Sequence, residues 1–175
     1  LAVNPGRGLH WQPFSADHLI TPEEAPTLDA CEPILMVGCP SGLWDEKNGF
    51  PLFRRGVTAS HPAIDFDGRP EFAIDIGVYS GSSGSPVMLW DQGAIRKNKT
   101  ENSFGVGFRF WLLGILWGGP RINESGELKV EPVPTDTRVS VATGVRMHLG
   151  YVIKAHEILR FAKSIQSQIK PREPA

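Results

Sequence analysis

Gly81-Ser82-Ser83-Gly84-Ser85-Pro86-Val87 is the stretch that decides how this chain folds. Small hydroxyl residues stand between glycines, and a proline and a β-branched residue follow at once. Glycine tolerates positive φ and lets another backbone approach closely, so the stretch makes a tight turn. Such a turn lifts a serine out of a strand end. Successive N–H groups around it can converge on one point and form a nest for an oxyanion. As composition alone, a Gly/Ser/Pro cluster is a plain turn, so the flanking sequence decides.

A chain of 175 residues is long enough for one domain with a sizeable core. A formal net charge of −1 provides no basic field, which argues against a nucleic-acid partner. The 19 glycines and 15 prolines suit many short strands better than long helices. The longest apolar run, 111–117, is strand-sized, so no membrane partner is expected. Cys31 and Cys39 are the only cysteines, too few for a disulfide framework. They point to a reducing compartment and hence to the cytoplasm. Neither has patterned ligands nearby, so no metal and no cofactor is expected.

Outward from the serine loop, residues 1–30 read as an irregular, proline-broken segment, in which Thr21 and Pro22 can open one helical turn. Apolar stretches at 32–40, 53–60, 71–75, 86–90, 110–117 and 143–150 read as six strands. Residues 91–108 and 119–143 read as polar loops. Val152, Ala155, Leu159, Ala162, Ile165 and Ile169 recur at helical spacing, which predicts a helix over 151–169 stopped by Pro171. Six strands with short connections and a terminal helix point to an all-β fold, a closed antiparallel barrel over 31–150 with a C-terminal helix over 151–170.

The loop Gly81-Ser82-Ser83-Gly84-Ser85-Pro86 closely resembles the nucleophile loop of trypsin-like (chymotrypsin-fold) serine proteases. Strand order agrees with the second barrel of that family: the nucleophile follows the third strand, a Trp-Gly-bearing edge strand comes fifth, and a helix ends the chain. Val37-Gly38-Cys39-Pro40-Ser41-Gly42-Leu43 is similar to the strand exit of the bacterial high-temperature-requirement branch, and Asp75, eight residues before Ser83, matches its spacing. The resemblance covers roughly 32–169 and implies a six-stranded antiparallel Greek-key barrel. It makes Ser83 the catalytic nucleophile of an endopeptidase and places the oxyanion hole at Gly81, Ser82 and Ser83. Gly77, Val78 and Tyr79 would line the primary pocket, and Trp117 and Gly118 would pair with a polypeptide substrate as an added strand. Gly77 stands where basic-specific members carry a carboxylate, so a small or medium apolar residue is expected in the pocket. Ser82 replaces the aspartate that pairs with a freed N-terminal amine, which speaks against activation of that kind.

A catalytic serine needs a histidine to take its proton and a carboxylate to orient that histidine. In this family both lie on a first barrel. Leu1-Ala2-Val3 resembles the residues that follow the family's catalytic aspartate, so the expected partner is an N-terminal barrel segment upstream of Leu1 that carries His and Asp. Within the chain, His10 and His18 are the alternative bases, His61 reads as a loop residue, and His148 and His156 read as packed or exposed. Asp75 reads as a buried or capping carboxylate. The competing function is a non-catalytic barrel that binds a peptide or partner. An α/β-hydrolase is excluded because its elbow needs glycine at Ser85 and a helix after it, whereas Pro86-Val87 opens a strand.

Overall fold

Ile34 and Met36 alternate with half-buried Leu35 and Val37 in β1 (Pro33–Gly38), the two-residue period of a strand with one face on a core. In a computed structural model the structure describes residues 13–96, 104–127, 140–146 and 148–168. β1 pairs antiparallel with β2 (Leu52–Thr58), and β2 pairs with β3 (Glu71–Asp75). β3 pairs with β8 (Leu149–Lys154), and β8 with β5 (Phe104–Gly118). β5 pairs with β4 (Pro86–Arg96), which returns to β1. All six pairings are antiparallel and the order closes into a ring. The ring encloses Ile34, Met36, Phe72, Ile74, Val87, Leu89, Leu116 and Val152, all essentially without exposure. Helix α1 (Ala155–Gln168) follows β8 directly.

Three sequence expectations are corrected. Residues 91–108 are not simply a polar loop: β4 runs on to Arg96 and β5 begins at Phe104. The two strands make a long hairpin on which Trp90, Phe108 and Phe110 pack edge-to-face and stacked. Within 119–143, β6 (Arg121–Glu127) pairs with β7 (Ser140–Arg146) as a separate two-stranded ribbon. The sixth position of the ring therefore belongs to β8, and 151–154 is strand, not the first turn of the helix. Along β8, Gly150, Val152 and Lys154 take the buried side; the lysine in that series hides the strand alternation. Its ammonium lies 2.6 Å from Asp65 Oδ1 and 3.1 Å from the Ala63 carbonyl. On α1 only Ala155 is buried, and Leu159 and Ile165 of the expected apolar stripe are exposed. Ile169 and Pro171 lie outside the described residues.

The segment before β1 is tied down locally. Thr21 and Glu24 form a reciprocal cap, with the Thr21 N–H on Glu24 Oε2 (3.0 Å) and the Glu24 N–H on Thr21 Oγ1 (3.2 Å). Thr58, fully buried at the end of β2, accepts from the Glu32 N–H (2.8 Å) and donates to the Ala30 carbonyl (2.7 Å). Thr58→Val keeps the volume but strands both groups. A loss of about 1–3 kcal/mol is expected, read as a melting-temperature fall of about 2–4 °C per kcal/mol. An unchanged melting temperature would refute this placement of the hydroxyl.

Candidate functional site

Between the end of β3 and the start of β4 the chain turns through Ile76 to Ser85, and glycine geometry sets the turn. Gly81 has φ +81° and Gly84 φ +86°. A Cβ on Gly81 would stand 3.0 Å from the Cys39 carbonyl, because the loop packs on the turn Pro40–Gly42, where the Ser41 N–H donates to the Ser80 carbonyl. Ser83 is exposed at the tip, and its Oγ donates to the Trp117 carbonyl (3.1 Å).

Within Gly81–Ser85 the N–H groups divide in two. Those of Ser82, Gly84 and Ser85 donate to the carbonyls of Tyr79 (3.0 Å), Leu116 (2.8 Å) and Ser82 (3.2 Å). Those of Gly81 and Ser83 donate to nothing among the described residues, and both residues are exposed. Water satisfies such groups, and a ligand oxygen can displace it. Ser82 therefore leaves the expected oxyanion set: its N–H is already bonded within the loop.

The Ser82 side chain works underneath instead. It is 0% exposed, and its Oγ accepts from Arg54 Nη2 (3.1 Å) and from the Tyr79 N–H (3.4 Å). Arg54 Nη1 donates to the Gly77 carbonyl, and Nε is buried without a partner. Burial pulls the guanidinium below its usual pKa, with the Tyr79 phenol acting against that. One strand residue thus bolts Gly77 and Ser82 of the loop to β2. Sequence reading missed it, because Arg54-Arg55 on a strand reads as solvated charge; the one available signal is alternation, which turns one of two adjacent arginines inward.

The remaining expected residues separate. Val78 is 6% exposed and belongs to the core, where a Cβ on Gly150 would collide with it, so it does not line a surface pocket. Tyr79 is 44% exposed and lies over half-buried Gly77, edge-on to His148 with ring centroids 6.4 Å apart. Trp117 is 44% exposed, stacks on Tyr151 and donates from Nε1 to Glu71 Oε2 (2.7 Å), so it is not a core aromatic. Gly118 pairs with Tyr151 of β8. Asp75 is exposed at the end of β3, neither buried nor hydrogen-bonded as a cap among the described residues.

No described histidine hydrogen-bonds Ser83. His18 Nδ1 is engaged with Ser15 (3.0 Å to N, 2.9 Å to Oγ) and its ring packs on Phe110, seven residues before Trp117 on β5, which is roughly 23 Å along a strand. His61 Nδ1 accepts from the Ala63 N–H, and His156 sits on α1 beside Glu157. His148 comes nearest the loop, against Gly77 and Tyr79, in a bend before β8 and not within a strand. His10 lies outside the described residues. Cys31 and Cys39 are free thiols. Among the described residues no three His, Cys, Asp or Glu side chains are grouped to hold a metal ion, and no helix is long and apolar enough to cross a membrane. A cavity lined by Ile20, Pro22, Pro62, Leu113 and Lys154 shares no residue with the serine loop. No family model, curated protein or solved structure matches the chain.

Proposed function

We propose that the ring of strands is a Greek-key barrel of the chymotrypsin type and that the protein is a serine endopeptidase acting through an acyl-enzyme on Ser83. The carrying observation is the division of N–H groups within Gly81–Ser85: the two without an intramolecular partner among the described residues, on Gly81 and Ser83, are the two that this chemistry needs. Ser83 Oγ attacks the scissile carbonyl carbon, and the carbonyl oxygen takes the negative charge between these donors. A histidine held by a carboxylate accepts the hydroxyl proton and returns it to the leaving amine; water then cleaves the ester by the same route reversed. Both residues come from a first barrel, on the same or a second polypeptide. The Oγ bond to Trp117 is one rotamer of an exposed hydroxyl, which reorients in picoseconds to nanoseconds. Arg54 beneath Ser82 holds the loop with an internal cation, where the family's digestive members use a freed N-terminal amine.

A p-nitrophenyl peptide ester tests this on the protein isolated from its native cells together with any polypeptide bound to it. A burst of one nitrophenolate per protein is expected, followed by slow turnover, with the burst absent in Ser83→Ala. An equal burst in the variant contradicts the assignment. The lack of a described imidazole on Ser83 favours one second reading, a barrel that binds peptides without cutting them; it predicts peptide binding with no burst in either protein.

A further inference from the structure

We propose that the cavity at the junction of β8 and α1 binds a short-chain carboxylate, its carboxyl end on Lys154 and its alkyl end against apolar side chains. The site goes beyond the peptidase reading and uses none of its residues. The cavity has a volume of about 100 Å³ and lies between the turn 20–25, the loop 62–65, Leu113 of β5 and residues 154–156. One side is apolar, made by Ile20, Pro22, Ala25, Pro62, Leu113 and Ala155. Lys154, Ala63 and Asp65 line it as well. These three meet at the lysine ammonium, which donates to Asp65 Oδ1 (2.6 Å) and to the Ala63 carbonyl (3.1 Å), so the ammonium stands in the wall.

An ammonium has three donors, and these bonds use two of them. The third meets no acceptor among the described residues. The two charges of the pair are also unequally placed: the Lys154 side chain is 6% exposed and that of Asp65 54%. Water screens the anion while the cation faces a low dielectric, so the field inside the cavity is positive. Two further donors line it. Thr21 Oγ1 accepts from the Glu24 N–H, and its own proton goes to no described residue. The His156 N–H lies in the first turn of α1, where the helix supplies no acceptor. Among the described lining residues Asp65 is the one carboxylate. Donors on one side and apolar groups on the other suit a ligand with an acceptor head and an alkyl body. An aliphatic cavity of about 150 Å³ holds benzene, so this one holds roughly four heavy atoms, and a carboxylate of about two to four carbons fits.

Isothermal titration calorimetry at constant ionic strength tests this, with sodium acetate, propionate and hexanoate and with propanamide and propylamine. Propionate is expected to bind about fourfold tighter than acetate, the effect of one buried methylene. It should bind at least about tenfold tighter than propanamide, which lacks the charge, with propylamine weakest. Hexanoate should bind more weakly than propionate, because its chain exceeds the cavity. Intermolecular nuclear Overhauser effects should run from the propionate methyl to the methyls of Ile20, Leu113 and Ala155. Ala25→Leu, which adds volume to the apolar wall and leaves the ammonium, should lose binding. Lys154→Met, if it folds, should bind propionate no better than propanamide. Ser83→Ala should bind propionate as the wild type does, so failure of the peptidase reading shows separately, as loss of the ester burst. No binding of propionate at about 10 mM would mean that water alone fills the cavity, and would overturn the proposal. Equal affinity for propionate and propanamide, hexanoate tighter than propionate, or Overhauser contacts to other residues would overturn it too.

Discussion

Gly81→Ala is expected to lower turnover about 100- to 1,000-fold while leaving the fold standing, the effect of removing one oxyanion donor. At φ +81° an L-residue is strained, and the new methyl would face the Cys39 carbonyl at 3.0 Å with the N–H groups of Ser41 and Gly42 at 3.5 Å. These neighbours are backbone, so they cannot swing aside as a side chain would. The peptide between Ser80 and Gly81 must rotate, and the Gly81 N–H leaves its position. The atoms that a Cβ on Gly81 would meet are backbone of the Cys39–Gly42 turn and not core side chains, so circular dichroism and melting should change little while kcat falls and KM holds. Unchanged kcat would mean that the Gly81 N–H has no part in the reaction.

The largest expected stability loss is at Arg109. It donates to Glu32 Oε2 (2.8 Å) and to Asp91 Oδ2 (2.6 Å), tying the segment before β1 to both strands of the long hairpin. Glu32 is 4% exposed and takes a further bond from the Asp29 N–H (2.8 Å). Burial depresses the arginine's pKa, but the bonds to Asp91 and Glu32 outweigh it and hold the group above its ordinary value. A raised folded pKa contributes stability present below the unfolded value and lost only as pH rises through the folded one. The contribution is therefore constant over working pH and vanishes only in strong alkali. Arg109→Met leaves Glu32 as a buried charge without its cation. About 3 kcal/mol should be lost, the low end for a broken buried pair because Arg109 and Asp91 are partly solvated. Urea unfolding checks this, and the double variant Arg109→Met/Glu32→Leu should recover much of the loss. If the single variant costs nothing, the ion pair does not hold the segment.

Much of the ring was legible because its strands carry apolar alternation in short runs, as at Ile34 and Met36. The hairpin extension was not, since Asp91, Gln92 and Gly93 interrupt β4 with polar and flexible residues, although Val106, Phe108 and Phe110 kept the two-residue period. β8 was misread because Val152, Ala155 and Leu159 fit a helical spacing that runs across a strand–helix junction. In the site, the serine loop announced itself through its glycines. The depth of Val78 is set by tertiary packing, and alternation turns one of Arg54 and Arg55 inward without showing what it would hold.

The most direct test is intact-mass and peptide-mapping analysis of the protein isolated from its native cells after treatment with a fluorophosphonate. One adduct per chain on Ser83, lost in Ser83→Ala, is the expected result. A folded protein that carries no adduct, or carries it elsewhere, would contradict a nucleophilic Ser83 and leave the barrel as a peptide-binding module.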